Sequence, residues 1–198
     1  MKHTQHTRYY ILSMAILAAT LAACETPSSP SNATVVASRA SSAAQPTAGT
    51  RERLVTMMDA CDSASFAVGI GNPEECTRSH GVTFDKFIAE LQRTGIAGAW
   101  HFAPPQMTAR VGETLVAVNR GGEVHTFTRV AKFGGGIVPS LNQLTGDLVP
   151  APECLALQPT DFVSPGGVDR DDTISAPGTA LYECCIHPWM RTVVRVKS

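Results

Sequence analysis

Residues 178–197 read GTALYECCIHPWMRTVVRVK and place two adjacent cysteines, a histidine and a methionine in one short turn. The flanking runs are rich in β-branched and aromatic residues, which favours a strand on either side of that turn. Sulfur and imidazole groups rarely crowd this closely by accident, and they are typical donors to transition metals. The turn therefore predicts a metal site near the end of the sequence. Its candidate donors are Cys184, Cys185, His187 and Met190.

The types of donor in this turn narrow the kind of metal. A zinc finger needs two Cys/His pairs at fixed spacing, and a redox site needs Cys-x-x-Cys; neither pattern is present. One thiolate, two imidazoles and a weak thioether form the donor set of a blue-copper electron-transfer site. This set needs a second histidine from elsewhere in the sequence. His125 supplies it, because it begins a predicted strand just after the Gly121-Gly122 turn.

From about residue 101 the sequence reads as short strands separated by glycine turns. Several short strands of this kind in an exported segment predict a β-sandwich or a small barrel. Residues 133–177 show little periodicity, and we interpret them as an irregular excursion. The predicted strands are MTARV (107–111), TLVAVNR (114–120), VHTFTRV (124–130) and RTVVRVK (191–197).

Two stretches of the sequence resemble the two signature halves of the cupredoxin family, and they are most similar to those of amicyanin and plastocyanin. The first is VGETLVAVNRGGEVHTFTRV at residues 111–130, and the second is the 178–197 stretch. In that family a ligand histidine follows an asparagine by six positions, as His125 follows Asn119. The second half is an aromatic-x-Cys-x-x-His segment with a methionine a few positions on. This pattern is matched by Tyr182, Cys184, His187 and Met190.

The resemblance implies that residues 101–198 form a copper domain with a mainly β fold, a cupredoxin-like Greek-key β-sandwich. Residues 51–100 would then be a small N-terminal helical extension, which the resemblance does not cover. It also implies one copper ion that alternates between Cu(II) and Cu(I). The expected ligands are His125, Cys184 and His187 in a roughly trigonal set, with Met190 as the long axial ligand.

The resemblance assigns further roles to residues around the copper. Asn119 is expected to tie the His125 loop to the Cys184 loop by hydrogen bonds. Trp189 is expected to shield the metal from water with its apolar ring. Redox protein partners are expected to dock transiently at the edge of His187.

The two adjacent cysteines are expected to have different roles. Cys184 gives the Cys-x-x-His spacing of the family, whereas the side chain of Cys185 should leave the opposite face of the strand. We therefore assign Cys184 to copper and Cys185 to a disulfide, most simply with Cys154. Four cysteines allow three connectivities, and a second thiolate ligand at Cys185 stays open as an alternative.

The first 50 residues predict export. Residues 1–24 combine early cations with an apolar run too short for a confident membrane span, and they end in LAAC at Leu21–Cys24. This end resembles a bacterial lipoprotein signal, in which Cys24 is lipidated; an ordinary secretory signal is the alternative. Residues 25–50 are nearly all small or polar, which predicts a disordered linker. We therefore expect a protein of the periplasm or cell surface that is held to a membrane by a lipid anchor.

Residues 51–100 read as a small helical unit without chemistry of its own. A second helix is predicted from its cap, Thr83, to its stop, Gly95. The first predicted helix places apolar residues at i, i+3, i+4 and i+7, namely Leu54, Met57, Met58 and Cys61.

Export also determines how the six cysteines are interpreted, because free thiols outside the cytoplasm tend to form disulfides. If lipid takes Cys24 and a metal takes one of the adjacent pair, four cysteines remain for two disulfides. Cys61 and Cys76 are close enough in sequence to form a local one. The remaining pair then joins Cys154 to the second cysteine of the turn.

We expect a blue copper protein that carries single electrons between redox partners in the bacterial cell envelope. The alternatives are a copper-handling protein that stores, delivers or senses the ion and, with less support, a copper enzyme. The sequence has no general-base pair, nucleophile triad or phosphate-binding loop, which favours a carrier over an enzyme. The formal net charge of −1, without a basic run, argues against a nucleic-acid partner.

Overall fold

The computed structural model describes residues 51–170 and 173–198. The predicted signal segment (1–24), the lipidation at Cys24 and the predicted linker (25–50) lie outside the described residues. Within the described ranges, no helix is long and apolar enough to cross a membrane.

The described residues form mainly β structure, and most of the strands are short. The strands are β1 (Glu52–Met58), β2 (His101–Ala103), β3 (Gln106–Arg110), β4 (Thr114–Asn119), β5 (His125–Thr126), β6 (Thr128–Val130), β7 (Phe162–Val163), β8 (Val168–Asp169), β9 (Gly178–Glu183) and β10 (Arg191–Lys197). One four-stranded sheet has the order β2-β1-β4-β8, a second has the order β3-β10-β9-β6, and β5 pairs with β7. Both four-stranded sheets are mixed, because β1 runs parallel to β4 and β3 runs parallel to β10.

The two four-stranded sheets share one hydrophobic core. The rings of Phe127 and Tyr182 stack in this core with their centroids 4.5 Å apart. Burial of apolar surface of this kind is the main stabilising contribution to such a fold. The first sheet contributes Val55, Leu115 and Ala117, and the second contributes Ala180, Tyr182 and Val194.

The helices are short and lie in the connections between strands. They are α1 (Ser63–Ile70), α2 (Phe84–Thr94) and α3 (Pro139–Thr145), with 3-10 turns at Pro152–Ala156 and Pro159–Asp161. The carboxylate of Asp62 caps α1 by accepting the Ser65 amide at 3.0 Å. α2 begins after Thr83 and ends at Gly95, which has a φ of 72°, as its sequence predicts.

The helix predicted across Leu54, Met57, Met58 and Cys61 is wrong, because this segment is strand β1. Leu54, Met57, Met58 and Cys61 fit the helical spacing, but the strand buries a different, alternating pair of apolar residues. Val55 and Met57 are buried, whereas Leu54 is exposed. Pairing of β1 with both β2 and β4 decides between the two periods.

Strand β1 changes the role of residues 51–100. This strand lies between β2 and β4. The segment therefore contributes a central strand to a sheet whose other strands, β2, β4 and β8, come from the predicted copper domain. The helical extension consists of α1 and α2 alone. The excursion at residues 133–177 is also more regular than the sequence indicates, since it contains α3, β7 and β8.

Both disulfides expected from the sequence occur in the structure, Cys61–Cys76 and Cys154–Cys185. Among the described residues, Cys184 is the one cysteine outside a disulfide, and it is buried. The first disulfide connects the end of β1 to the loop that follows α1. The second lies directly beside Cys184 along the chain.

Removing the first disulfide is expected to destabilise the fold. In the double variant Cys61→Ser/Cys76→Ser, the free energy of unfolding should fall by about 3 kcal/mol, because the crosslink spans 15 residues. Urea denaturation followed by circular dichroism measures the change. Ser79→Ala, at an exposed position, is a control that should leave the midpoint nearly unchanged. Equal midpoints for the double variant and the parent protein would contradict this expectation.

Candidate metal centre

The turn between β9 and β10 is closed by backbone hydrogen bonds and contains three of the predicted ligands, Cys184, His187 and Met190. The amide of Cys184 donates to the carbonyl of Met190 at 3.0 Å, and the amide of Met190 donates to the carbonyl of His187 at 2.9 Å. His125 comes from a different part of the chain, at the start of β5, where it pairs with Val163 of β7. The ends of β9 and β10 and the start of β5 therefore hold the ligands in place.

The structure brings His125, Cys184 and His187 together in the interior. The sulfur of Cys184 lies 3.7 Å from Nδ1 of His125 and 3.8 Å from Nδ1 of His187. The three donor atoms all lie within 4.8 Å of one another, and all three residues are buried. The two imidazole rings meet edge to face with centroids 5.2 Å apart. Met190, the expected axial ligand, is also fully buried and is joined to both neighbouring ligands through its backbone.

The electrostatics of this cluster favour a thiolate at Cys184. Burial by itself would raise the pKa of the thiol, but the facing imidazoles of His125 and His187 outweigh burial and hold the pKa well below its usual range. The backbone amide of Thr126 also donates to the sulfur at 3.4 Å. A thiolate is the form of cysteine that binds metals.

A buried carboxylate fixes the orientation of His125. Oδ2 of Asp59 lies 2.9 Å from Nε2 of His125, so Nε2 carries a hydrogen and Nδ1 faces Cys184. The amides of Gly122 and Glu123 donate to the same carboxylate at 2.8 and 3.0 Å. Burial would raise the pKa of Asp59, but the hydrogen bonds from His125 and these two amides lower it to about 2.

The same contacts act on His125 itself. Burial would lower the pKa of its imidazole, but hydrogen bonds to Asp59 and Cys184 outweigh burial and raise the pKa to about 9 in the metal-free chain. The metal-free site is therefore an imidazolium between a carboxylate and a thiolate. A metal ion that binds here must displace the proton on Nδ1.

His187 also faces a buried carboxylate. Oε2 of Glu123 lies 3.7 Å from Nε2 of His187 and accepts a hydrogen bond from the indole of Trp100. Burial raises the pKa of Glu123 despite the neighbouring His187. Each histidine thus points Nδ1 at the sulfur and Nε2 at a carboxylate, which aligns both rings on one centre.

Asn119 does not make the link expected from the sequence. Its amide nitrogen donates to the carbonyls of Glu123 and Val163, both at 2.8 Å, and this ties the His125 loop to β7. The link to the Cys184 loop is made by Thr126 instead. Its amide donates to the sulfur of Cys184, and its hydroxyl accepts the amide of Cys185 at 2.8 Å.

Trp189 packs beside His187, with ring centroids 5.4 Å apart and an edge-to-face orientation. Its indole donates to the carbonyl of Ala97 at 3.2 Å, and its ring contacts Phe87 of α2. Only 4% of the surface of His187 is exposed. The helical extension therefore covers a ligand whose edge the sequence analysis left open to partners.

Sequence reasoning missed three residues that organise the site. Glu123 and Thr126 lie within two positions of His125, so their closeness to a predicted ligand could have marked them as site residues. Asp59 lies in the segment interpreted as a helix, 66 residues from His125, and no local pattern marks it. Asp59 and Glu123 also lie close to Cys61, but that sulfur is in a disulfide and provides no thiolate.

The donor set fits copper. A buried thiolate and two imidazoles with a shared centre are the ligands that copper electron-transfer sites use, and a buried methionine adjoins them. His125, Cys184 and His187 would hold the ion. The Cys154–Cys185 disulfide removes Cys185 as a second thiolate ligand.

The described fold is similar to solved cupredoxin structures. A purple cupredoxin from Nitrosopumilus maritimus has 19% sequence identity and a TM-score of 0.37, over 52% of this chain and 87% of that chain. A reduced Cu(I) form of an amicyanin variant has 23% identity and a TM-score of 0.33, over 52% of this chain and 77% of that one. The oxidized plastocyanin from Dryopteris crassirhizoma has 20% identity and a TM-score of 0.34, over 50% and 89%. No family model and no curated protein matches the chain.

The fold class expected from the sequence is confirmed. Two mixed sheets that share a core form a mainly β sandwich, and α1 and α2 form the small helical extension. At these identities and TM-scores the similarity to solved structures carries no argument about function. The functional argument rests on the buried His–Cys–His cluster.

Proposed function

We propose that this protein is a type 1 (blue) copper protein that carries single electrons. The observation that supports this proposal is the convergence of two Nδ1 atoms on the Cys184 sulfur at 3.7 and 3.8 Å, in a buried setting. When bound, copper supplies one-electron chemistry between Cu(II) and Cu(I). The chain supplies a thiolate, two aligned imidazoles and a hydrophobic enclosure.

The surroundings of the ligands favour electron transfer over release of the ion. Asp59 and Glu123 fix the two histidine rings, Thr126 fixes the sulfur, and the Cys154–Cys185 disulfide stiffens the ligand turn. A site held this firmly changes little in shape when its charge changes, which keeps the reorganisation small. Burial of all three ligands also slows their exchange with a chelator, which disfavours a copper-handling role.

We propose further that the protein works in the bacterial cell envelope. The lipoprotein-like LAAC sequence at Leu21–Cys24 and the polar segment that follows it support a lipid-anchored carrier in the periplasm or at the cell surface. Redox protein partners would dock over the cleft that His187 lines. Electron carriage, rather than turnover of a substrate, is the proposed activity.

The test is a visible absorption and paramagnetic resonance spectrum of the copper-loaded full chain. An intense visible band that bleaches reversibly with ascorbate is expected, because a thiolate bound to Cu(II) gives strong charge-transfer absorption. A colourless protein whose Cu(I) exchanges readily with a chelator would overturn the proposal and favour copper handling.

A further inference from the structure

A cleft with a volume of about 500 Å³ opens between the three helices on the side of His187. Volumes in this range are typical of sites for small organic molecules. Helices α1 and α2 provide its aromatic wall, α3 provides an aliphatic wall, and the metal-site residues His187 and Glu123 form part of its lining. The cleft therefore connects the helical extension to the candidate metal centre.

The aromatic wall is built for a flat apolar molecule. The ring of Phe66 lies 5.4 Å from that of Phe84 and 5.5 Å from that of Phe87, between centroids. A Cβ atom at Gly69 would lie 2.2 Å from the Phe84 ring, so glycine at this position is what lets the ring sit against α1. Leu141 and Leu144 of α3 line the opposite side.

The charges of the cleft restrict the ligand further. Its ionisable lining residues are Glu75, Glu123 and His187, and no lysine or arginine of the described residues lines it. An anionic ligand would meet two carboxylates without a compensating cation. Glu123 lines the cleft, and its Oε2 atom accepts the Trp100 indole. A ligand hydroxyl that donates to the second carboxylate oxygen would add a hydrogen bond to this buried group.

We propose that this cleft binds a small, uncharged aromatic alcohol of the phenol class. The ring of the ligand would lie among the three phenylalanines, and its hydroxyl would donate to Glu123. A bare hydrocarbon would fill the same space but would make no hydrogen bond to the carboxylate, and a benzoate would be repelled. Bound in this way, the molecule lies against His187, so the electron carrier proposed above would also have a small-molecule site beside its metal ligand.

Calorimetric titration of the metal-free full chain tests the proposal with three matched probes. 4-Propylphenol should bind saturably with one site, and propylbenzene should bind at least about tenfold more weakly, because it lacks the hydrogen bond to a charged acceptor. 4-Propylbenzoate should show no binding. Equal affinity for the phenol and the benzoate, or no saturation with the phenol, would overturn the proposal.

Variants locate the site within the cleft. Ser140→Trp at the exposed rim and Leu141→Trp in the wall should both abolish binding, whereas Leu148→Trp, at an exposed position outside the cleft lining, should not. Glu123→Gln should bring the affinity for the phenol close to that for propylbenzene. If Leu148→Trp weakens binding as much as the two cleft variants do, the cleft is not the site. Because this titration uses no copper, its failure would leave the blue-copper proposal standing, and failure of the copper spectrum would leave the cleft standing.

Discussion

Replacing Cys184 with serine is expected to abolish the visible charge-transfer band of the copper-loaded protein, whereas removing Cys185 is expected to preserve it. The band needs a thiolate bound to Cu(II), and Cys184 is the cysteine whose sulfur faces both imidazoles. A serine hydroxyl at this position is neither soft nor ionised at neutral pH. Absorption and paramagnetic resonance spectra of the two variants, loaded with equal copper, measure the difference.

The matched control for Cys184→Ser is the double variant Cys154→Ser/Cys185→Ser, which leaves no unpaired thiol beside the site. It should keep the colour but lose about 3 to 4 kcal/mol of unfolding free energy, because the disulfide spans 31 residues. A colourless double variant that is still folded at the temperature of measurement would show that Cys185 binds the metal. That outcome would reverse the assignment of the two cysteines.

The ligand turn shows how much of the site can be predicted from sequence. The spacing of Cys184, His187 and Met190 is local, so three donors can be placed from one short stretch. The prediction of His125 as a ligand rested on a second stretch, which resembles the family in its asparagine and its strand pattern. Local spacing also predicted α2, since its cap position and its terminal glycine are both visible in the sequence.

Strand β1 shows where sequence reasoning fails. A short apolar segment is compatible with either a helix or a strand, and the pairing of β1 with β2 and β4 decides between them. The pairing with β4 is a tertiary contact between residues about 60 positions apart, such as Glu52 and Thr114. Asp59 was missed for the same reason, because its role depends on where the end of β1 lies in the sheet.

The glycine pair before His125 involves both a local sequence signal and tertiary contacts. The sequence predicts a turn at Gly121-Gly122, and the structure shows why small residues are needed there. A Cβ atom at Gly121 would lie 1.8 Å from Oδ2 of Asp59, and one at Gly122 would lie 2.8 Å from the sulfur of Cys61. The turn and the Cys61–Cys76 disulfide can be predicted from sequence, but their contact with each other and with the Asp59 carboxylate cannot.

Replacing Asp59 with alanine is expected to damage both the fold and the copper site. Removal of the carboxylate leaves Nε2 of the buried His125 and three backbone amides without their acceptor in the metal-free chain, which should cost about 3 to 5 kcal/mol of unfolding free energy. Copper affinity should fall by about 10- to 100-fold, because the ring of His125 loses the contact that orients it. Urea denaturation and competition with a copper chelator measure the two effects.

Asp59→Asn separates the charge of this residue from its shape. The amide keeps an acceptor for the backbone but removes the buried negative charge of Asp59. That charge stabilises Cu(II) more than Cu(I). The reduction potential should therefore rise, by on the order of 100 mV. Glu113→Gln is the matched control, since Glu113 is also buried but its ion pairs are with Arg51 and Arg53, at the opposite end of β1 from Asp59. Its potential should equal that of the parent protein.

The pH dependence of the metal-free protein gives an independent test of the Asp59–His125 pair. The pKa of His125 is raised to about 9 in the folded chain, so its stabilising contribution is present below its unfolded pKa of 6.5 and is lost as the pH rises towards 9. The pKa of Asp59 is lowered to about 2, so its contribution is present above its unfolded pKa of 3.8 and is lost as the pH falls towards 2. In Asp59→Asn, the loss of stability between pH 6.5 and 9 should be much smaller than in the parent protein. An equally steep loss in the variant, measured by urea denaturation across this range, would show that Asp59 does not hold the proton on His125.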